Sequence, residues 1–245
     1  MEDIVLLSGG MDSATCLAEM IHEHGRENVI AVGFNYGQKH SLEHEYSKKI
    51  ANYFGVKLIS LDIDRKTFTG SKSALLAQNA DINIAHKSYT EMKQENGNGP
   101  VDTYIPFRNG LMLAQAASLA FSLGAKRVVY GAHKDDFAGD AYSDCSPEFY
   151  KSMNDAIYYG TGKKVMLYAP VLDTDKAGVV ERGVKLHVPF KLTRSCYEGG
   201  DKDGRSCGEC ATCQDRIRAF KKNQLIDPIP YQIAIDWRGC KEYVQ

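Results

Sequence analysis

The apolar run Ile4-Val5-Leu6-Leu7 stops at Ser8-Gly9-Gly10, and a helical stripe of Leu17, Met20, Ile21 and His24 follows closely behind it. A run this short between turn residues predicts a buried strand, and two adjacent glycines let the backbone turn tightly into the next helix. The unit then recurs. Residues 29–34 form a second apolar run, and Tyr46, Ile50, Tyr53 and Phe54 follow at i, i+4, i+7 and i+8, the stripe of a helix packed on a sheet. Residues 57–61, 127–131 and 165–168 predict three more strands, with an Ala-rich helix over 109–122. Strands separated by helices join through right-handed crossovers, so the expected fold is α/β, a doubly wound parallel sheet covered on both faces.

Two segments break the rhythm. Residues 69–103 are polar and reach Asn96-Gly97-Asn98-Gly99-Pro100, which predicts a lid, a binding loop or a disordered segment. After residue 189 the alternation ends and a Cys-rich stretch begins, so the expected division is an α/β domain over 1–189 and a Cys-rich segment over 190–245. With 30 Lys+Arg against 31 Asp+Glu, the chain lacks the broad basic face of a protein that grips nucleic acid by charge. No window approaches the ~18 apolar residues of a membrane span. Met1-Glu2-Asp3 has neither the basic start nor the apolar core of a signal peptide, which predicts a cytoplasmic location.

Residues 8–13, Ser8-Gly9-Gly10-Met11-Asp12-Ser13, lie between a predicted strand and a predicted helix. Successive N–H groups there converge at the positive end of a helix and form an anion nest. Ser8 and Ser13 can add hydroxyl donors, and Asp12 can cap the helix or hold a metal ion. An ordinary strand–helix turn uses the same residue types. The order fits neither the P-loop nor the G-x-G-x-x-G pattern.

Four of the seven cysteines fall within 196–213. Cys207, Cys210 and Cys213 give C-x2-C-x2-C, and Cys196 lies eleven positions earlier. In a reducing compartment such clustering points to metal rather than disulfides. Four thiolates suit a tetrahedral Zn²⁺, and softness and count alone do not separate it from an iron–sulfur cluster. Zinc would have its shell closed by the four ligands and so be structural.

In its place after the first strand, the 8–13 segment resembles the S-G-G-x-D-S signature of the PP-loop ATP pyrophosphatases. Within that superfamily, Ser195-Cys196-Tyr197-Glu198-Gly199, the three-cysteine run, Arg216 and Ala219-Phe220 resemble the 7-cyano-7-deazaguanine (preQ0) synthase family. So do Tyr36-Gly37-Gln38, Pro106-Phe107-Arg108-Asn109, Asp144-Cys145 with Pro147-Glu148-Phe149, and Asp227-Pro228-Ile229-Pro230-Tyr231, over nearly the whole chain.

The resemblance implies an adenine nucleotide alpha hydrolase-like sheet and an ATP-dependent ligase that forms a C–N bond in queuosine biosynthesis. Its substrates are 7-carboxy-7-deazaguanine and ammonia; its product is the nitrile, formed through adenylated carboxylate and amide with release of AMP and pyrophosphate. It implies ATP, Mg²⁺ and structural Zn²⁺, no direct nucleic-acid or membrane partner, and a homodimer. The apolar, Tyr-rich stretch 225–243 could serve that interface or the core. The nucleotide falls to Ser8, Gly9, Gly10, Met11, Asp12, Ser13, Tyr36, Gln38 and Gly131. The catalytic phosphate clamp falls to Ser8, Asp12, Ser13, Arg108 and Lys176. Arg108 and Lys176 could otherwise be solvated surface charges.

Asp144, Cys145 and Glu148 are the implied substrate contacts, a carboxylate there accepting from a guanine-like N1–H and amino group. A helix N-cap at Asp144 or Ser146, with Glu148 in the first turn, accounts for the same residues. Cys145 reads as structural or substrate-contacting, because adenylation needs no thiol nucleophile. The metal ligands are Cys196, Cys207, Cys210 and Cys213. Ser143, Ser146 and Asp175 depart from the family's usual proline, arginine and threonine. His133, which follows the fourth strand with Lys134, Asp135 and Asp136, is given no catalytic role.

Two rivals remain. A tRNA-thiolating PP-loop enzyme needs a pair of catalytic cysteines, for which only Cys16 and Cys145 are candidates, and a glutamine-dependent amide synthetase needs an amidotransferase domain that 245 residues leave no room for. A zinc-bearing nucleic-acid-binding module with a dead nucleotide fold is opposed by the intact glycine turn and the balanced charge.

Overall fold

A computed structural model of the chain describes residues 1–40, 42–96, 101–137 and 141–243. The first run is strand β1 (Asp3–Leu6), which leads through the glycine turn into helix α1 (Met11–His24). Then come β2 (Val29–Asn35), α2 (Leu42–Phe54), β3 (Lys57–Asp62), α3 (Tyr89–Glu95), α4 (Arg108–Leu123) and β4 (Arg127–Val129). They are followed by α5 (Lys134–Phe137), α6 (Pro147–Gly160), β5 (Met166–Tyr168), α7 (Lys176–Lys185), α8 (Ala211–Lys222), β6 (Leu225–Ile226) and β7 (Lys241–Glu242).

Among the described residues the main sheet has five strands in the order β3-β2-β1-β4-β5, every neighbouring pair parallel. The doubly wound expectation holds. Side chains alternate across the sheet: Val5, Ala31 and Val129 join one apolar cluster with α1, α7 and α8, while Ile4, Val32 and Val128 join another with α4. The order reverses between β1 and β4, and loops leaving the strands diverge there to opposite faces. Open α/β sheets bind ligands in the crevice this creates.

Local corrections follow from packing. On α2 the buried residues are Ser47, Ile50 and Ala51, whereas Tyr53, expected on the packed stripe, is 52% exposed with its ring edge-on to Phe54. The helix drifts about 100° per residue, so position i+7 lies at the stripe's margin. The segment 69–103 is not a featureless loop. Phe68, Leu75, Leu76 and Ile84 are buried with Tyr36 and the four clustered cysteines, and α3 begins with a capping box between Ser88 and Glu91. Its apolar residues lack a regular period because they plug a space between other elements. The Gly97-Asn98-Gly99-Pro100 end of that segment lies outside the described residues.

Downstream of residue 189, α8 contributes Ala219 and Phe220 to the apolar cluster of α1 and α7. Leu225, Trp237 and Tyr243 pack on the same cluster, and the Tyr243 hydroxyl donates to the Val188 carbonyl at 2.9 Å. Among the described residues no helix is long and apolar enough to cross a membrane.

Candidate active site

β1 delivers the chain to the crevice, and the turn after it depends on glycine at two places. Gly9 has φ +86°, and a Cβ there would sit 2.8 Å from both the Glu43 carbonyl oxygen and the Tyr46 Cβ. Gly131, just beyond β4, lets that strand end approach the turn, since a Cβ would lie 3.1 Å from the Asp12 carbonyl carbon. Gly10 is the N-cap of α1 and offers no side-chain acceptor, so the first-turn N–H groups stay available to an anion. The Ser13 hydroxyl donates to the Gly10 carbonyl at 3.0 Å and accepts the Ser8 N–H at 3.2 Å, which braces the turn. Met11 is fully buried and anchors the helix start in the core.

Asp175 is the N-cap of α7, accepting the Gly178 N–H at 2.9 Å. This is a role the usual threonine could also fill. Lys176, the next residue, is only 8% exposed, and its Nζ donates to Asp12 Oδ2 at 2.6 Å and to His133 Nε2 at 3.0 Å. It is therefore not a solvated surface charge. Burial alone would pull its ammonium down, but the Asp12 and Asp136 carboxylates outweigh burial and raise it. Burial would likewise push Asp12 up, and Lys176 holds it below the usual carboxylate range. The pair is charged.

Sequence reasoning missed His133. It is 2% exposed, with Nε2 3.4 Å from Asp136 Oδ1 and 3.7 Å from Asp12 Oδ1. Its signal was its place four residues past the end of β4, but histidines there are commonly solvated. Only the approach of α7 encloses it.

One cavity of about 270 Å³ opens over this cluster. On the β2 side its wall includes Gly33, Phe34, Tyr36, Gln38 and Ser47; on the β4 side it includes Tyr130, Tyr142, Cys145 and Asp136. Ser8, Gly10, Asp12, Ser13, Gly131 and Lys176 form the middle. The Gln38 side chain pins the turn after β2, accepting the Tyr36 N–H at 2.9 Å and donating to the Phe34 carbonyl at 3.1 Å. Arg108 lines the cavity beside Tyr36, donating to its hydroxyl at 3.3 Å, and the hydroxyl donates in turn to Glu43 at 3.3 Å. The Arg108 Nε is buried with no hydrogen-bond partner among the described residues.

The implied substrate residues separate. Cys145 lines the cavity and accepts from Asn109 Nδ2 at 3.2 Å, and burial pushes its thiol well up, which suppresses the thiolate. Asp144 is buried and accepts the Asn109 N–H at 2.9 Å, so its carboxylate caps α4 next to the cavity. Glu148 is exposed on the first turn of α6, away from the cavity wall, because Ser146 is the N-cap and accepts the Phe149 N–H at 3.1 Å.

Cys196, Cys207, Cys210 and Cys213 are all buried, with their sulfurs within 4.8 Å of one another. Amide N–H groups of Cys207, Glu209 and Cys210 donate to sulfur at 3.3–3.4 Å, which stabilises negative charge there. A hydrogen bond from Cys196 holds the Cys207 thiol down to about 7, and bonds to the other three sulfurs push Cys213 up. Four soft donors at this spacing fit a thiolate-bound metal. The cysteines alternate with cavity residues: Arg194, Ser195 and Tyr197 flank Cys196, and Thr212 and Asp215 flank Cys213.

Residues 2–224 match the protein family described as "Queuosine biosynthesis protein QueC". The chain belongs to the QueC family. It is 41% identical over 239 residues to the 7-cyano-7-deazaguanine synthase of Caldicellulosiruptor bescii, covering 97% of this chain and all of that one. The protein of the same name from Thermoplasma volcanium is 38% identical over 232 residues, 93% of this chain and 90% of that one. Among solved structures, NMN synthetase from Francisella tularensis matches at 15% identity with a TM-score of 0.46, covering 80% of this chain and 65% of that one.

Proposed function

We propose that the chain makes 7-cyano-7-deazaguanine from 7-carboxy-7-deazaguanine and ammonia, converting ATP to AMP and pyrophosphate at each of two adenylation steps. The observation that carries this reading is the buried Lys176 paired with a half-buried Asp12 against the glycine turn, in a cavity whose flanks can hold a nucleotide and a second ring.

A carboxylate is a poor electrophile, so it must first be given a leaving group. One carboxylate oxygen attacks the α-phosphorus of ATP; that O–P bond forms as the bond to the β-phosphate oxygen breaks. The first-turn N–H groups of α1, Ser8, Ser13 and Lys176 receive the departing pyrophosphate at fixed positions, so no solvent reorganises when the charge moves. Ammonia then attacks the acyl carbon, loses a proton, and AMP leaves to give the amide. Adenylation of the amide oxygen by a second ATP, followed by loss of AMP and the nitrogen-bound protons, yields the nitrile. The protein's part is positioning and charge neutralisation, and Cys145 needs no role as a nucleophile.

Asp12 Oδ1, buried with no hydrogen-bond partner among the described residues, and Asp136, which lines the same cavity, fit a Mg²⁺ ion, which when bound supplies charge neutralisation at the phosphates. The four cysteines fit a Zn²⁺ whose closed shell gives it a structural role. The test is to incubate the purified protein with 7-carboxy-7-deazaguanine, ammonium, ATP and Mg²⁺ and to follow products by mass spectrometry. Nitrile with two AMP per turnover is expected; ADP as the nucleotide product, or no nitrile, overturns the reading.

A further inference from the structure

Tyr130 follows directly on β4 and is 5% exposed. Its N–H donates to the Tyr168 carbonyl at 3.1 Å, so β5 fixes its backbone. Side chains alternate along the strand, and Tyr130 joins the apolar cluster of α4 with Tyr142 and Cys145 rather than the α1 cluster that holds Val129. It therefore belongs to the β4 flank of the cavity, which it lines. Buried tyrosine hydroxyls normally find a partner. The Tyr130 hydroxyl is buried with no hydrogen-bond partner among the described residues.

Polar groups around this phenol are already engaged. Tyr150 donates its hydroxyl to the Leu167 carbonyl at 3.2 Å, Asp144 accepts the Asn109 N–H at 2.9 Å, and Cys145 accepts from Asn109 Nδ2 at 3.2 Å. Burial pushes the Tyr130 phenol up, so the hydroxyl carries its proton. A donor held in the interior without an acceptor costs its full desolvation, whereas an idle lone pair is tolerated more readily. What the hydroxyl lacks is an acceptor, and the cavity is where one can reach it.

We infer that the Tyr130 hydroxyl donates to the 7-carboxyl group of the bound 7-deazaguanine acid. This rests on the function proposed above. Tyr130 immediately precedes Gly131, which approaches Asp12 and Ser13 of the glycine turn, while its ring lies in one cluster with Cys145. Tyr130 thus stands where the glycine turn and the β4 flank meet. The carboxyl must sit at that junction, because its oxygen attacks the α-phosphorus of a nucleotide held by the turn. An ionised carboxylate offers only acceptors, so a protonated phenol matches it. A neutral donor also holds one oxygen in place without pairing off the charge that makes the other nucleophilic.

The test is calorimetric titration of the full chain with 7-carboxy-7-deazaguanine and with 7-deazaguanine, which lacks the carboxyl. Tyr130→Phe should bind the acid ~10-fold more weakly, because the lost bond is to a charged acceptor, and should bind 7-deazaguanine within ~2-fold of wild type. It also removes an unpaired donor from the interior, so its thermal unfolding midpoint without ligand should be no lower than that of wild type. An unchanged affinity for the acid overturns the inference, since the hydroxyl then meets only water. An equal loss for both ligands overturns it by placing the hydroxyl on the ring. A lowered midpoint overturns it by giving the hydroxyl a structural partner. If the wild type makes nitrile while any of these results holds, only this inference fails. If the wild type binds neither ligand and makes no nitrile, the proposed function fails and takes this with it.

Discussion

Arg216 and Asp227 are both 0% exposed at the side chain, and their removal tests how the cysteine segment is locked to the sheet. Arg216 donates to Asp227 twice, Nε at 2.6 Å and Nη2 at 2.9 Å. It also donates to Thr193 Oγ1 at 2.8 Å and to the Phe190 carbonyl at 3.1 Å. Asp227 further accepts from the Tyr231 hydroxyl at 2.7 Å. Asp227→Ala leaves a guanidinium in the interior without its counter-ion and strands the Tyr231 hydroxyl. Breaking a buried pair from one side costs ~3–5 kcal/mol. At ~2–4 °C per kcal/mol for a chain of this size, the midpoint of thermal unfolding should fall by roughly 6–20 °C.

The double variant Arg216→Met/Asp227→Leu removes both charges and keeps apolar volume, and it should recover most of that loss, because a buried pair replaced as a unit is often close to neutral. The assay is thermal unfolding of wild type, single and double variants under one buffer. Losses that simply add in the double variant, or a single-variant loss below ~1 kcal/mol, would refute the reasoning that desolvated charge dominates here.

Lys176→Met should abolish AMP formation and also change the response to acid. In the wild type Asp12 is held below the usual carboxylate range, so its contribution is present at neutral pH and lost as pH falls through that lowered value. Without Lys176, burial raises Asp12, and protonation then relieves the variant; the stability gap between wild type and variant should narrow from pH 7 toward pH 4, and a gap that widens in acid refutes the pairing. Cys210→Ala should lose bound metal by elemental analysis and lower the unfolding midpoint; unchanged metal content would remove Cys210 from the ligand set.

Much of this site was legible one residue at a time. The turn at residues 8–13 announced itself because a tight strand–helix junction and an anion nest demand glycine and small polar residues in a fixed local order. The cysteine spacing did so because two adjacent turns place sulfurs within reach of one ion whatever surrounds them. His133 and the contact between Tyr89 and Tyr197 were not legible, since neither depends on local order. His133 matters only because α7 carries Lys176 across to meet it, 43 positions along the chain. Tyr89 and Tyr197 are 108 positions apart and meet only because the segment 69–103 packs against the cysteine cluster.

Glu148 shows the converse. The resemblance implied a substrate contact there, and the structure bears out the other reading of the same residues, an N-cap at Ser146 with Glu148 exposed in the first turn. Periodicity and turn chemistry act over a few residues, so the sequence by itself determined the parallel sheet, the glycine turn and the cysteine cluster. Long-range burial decided the rest: which charges lost their water and had to pair, and which distant side chains meet at the cavity.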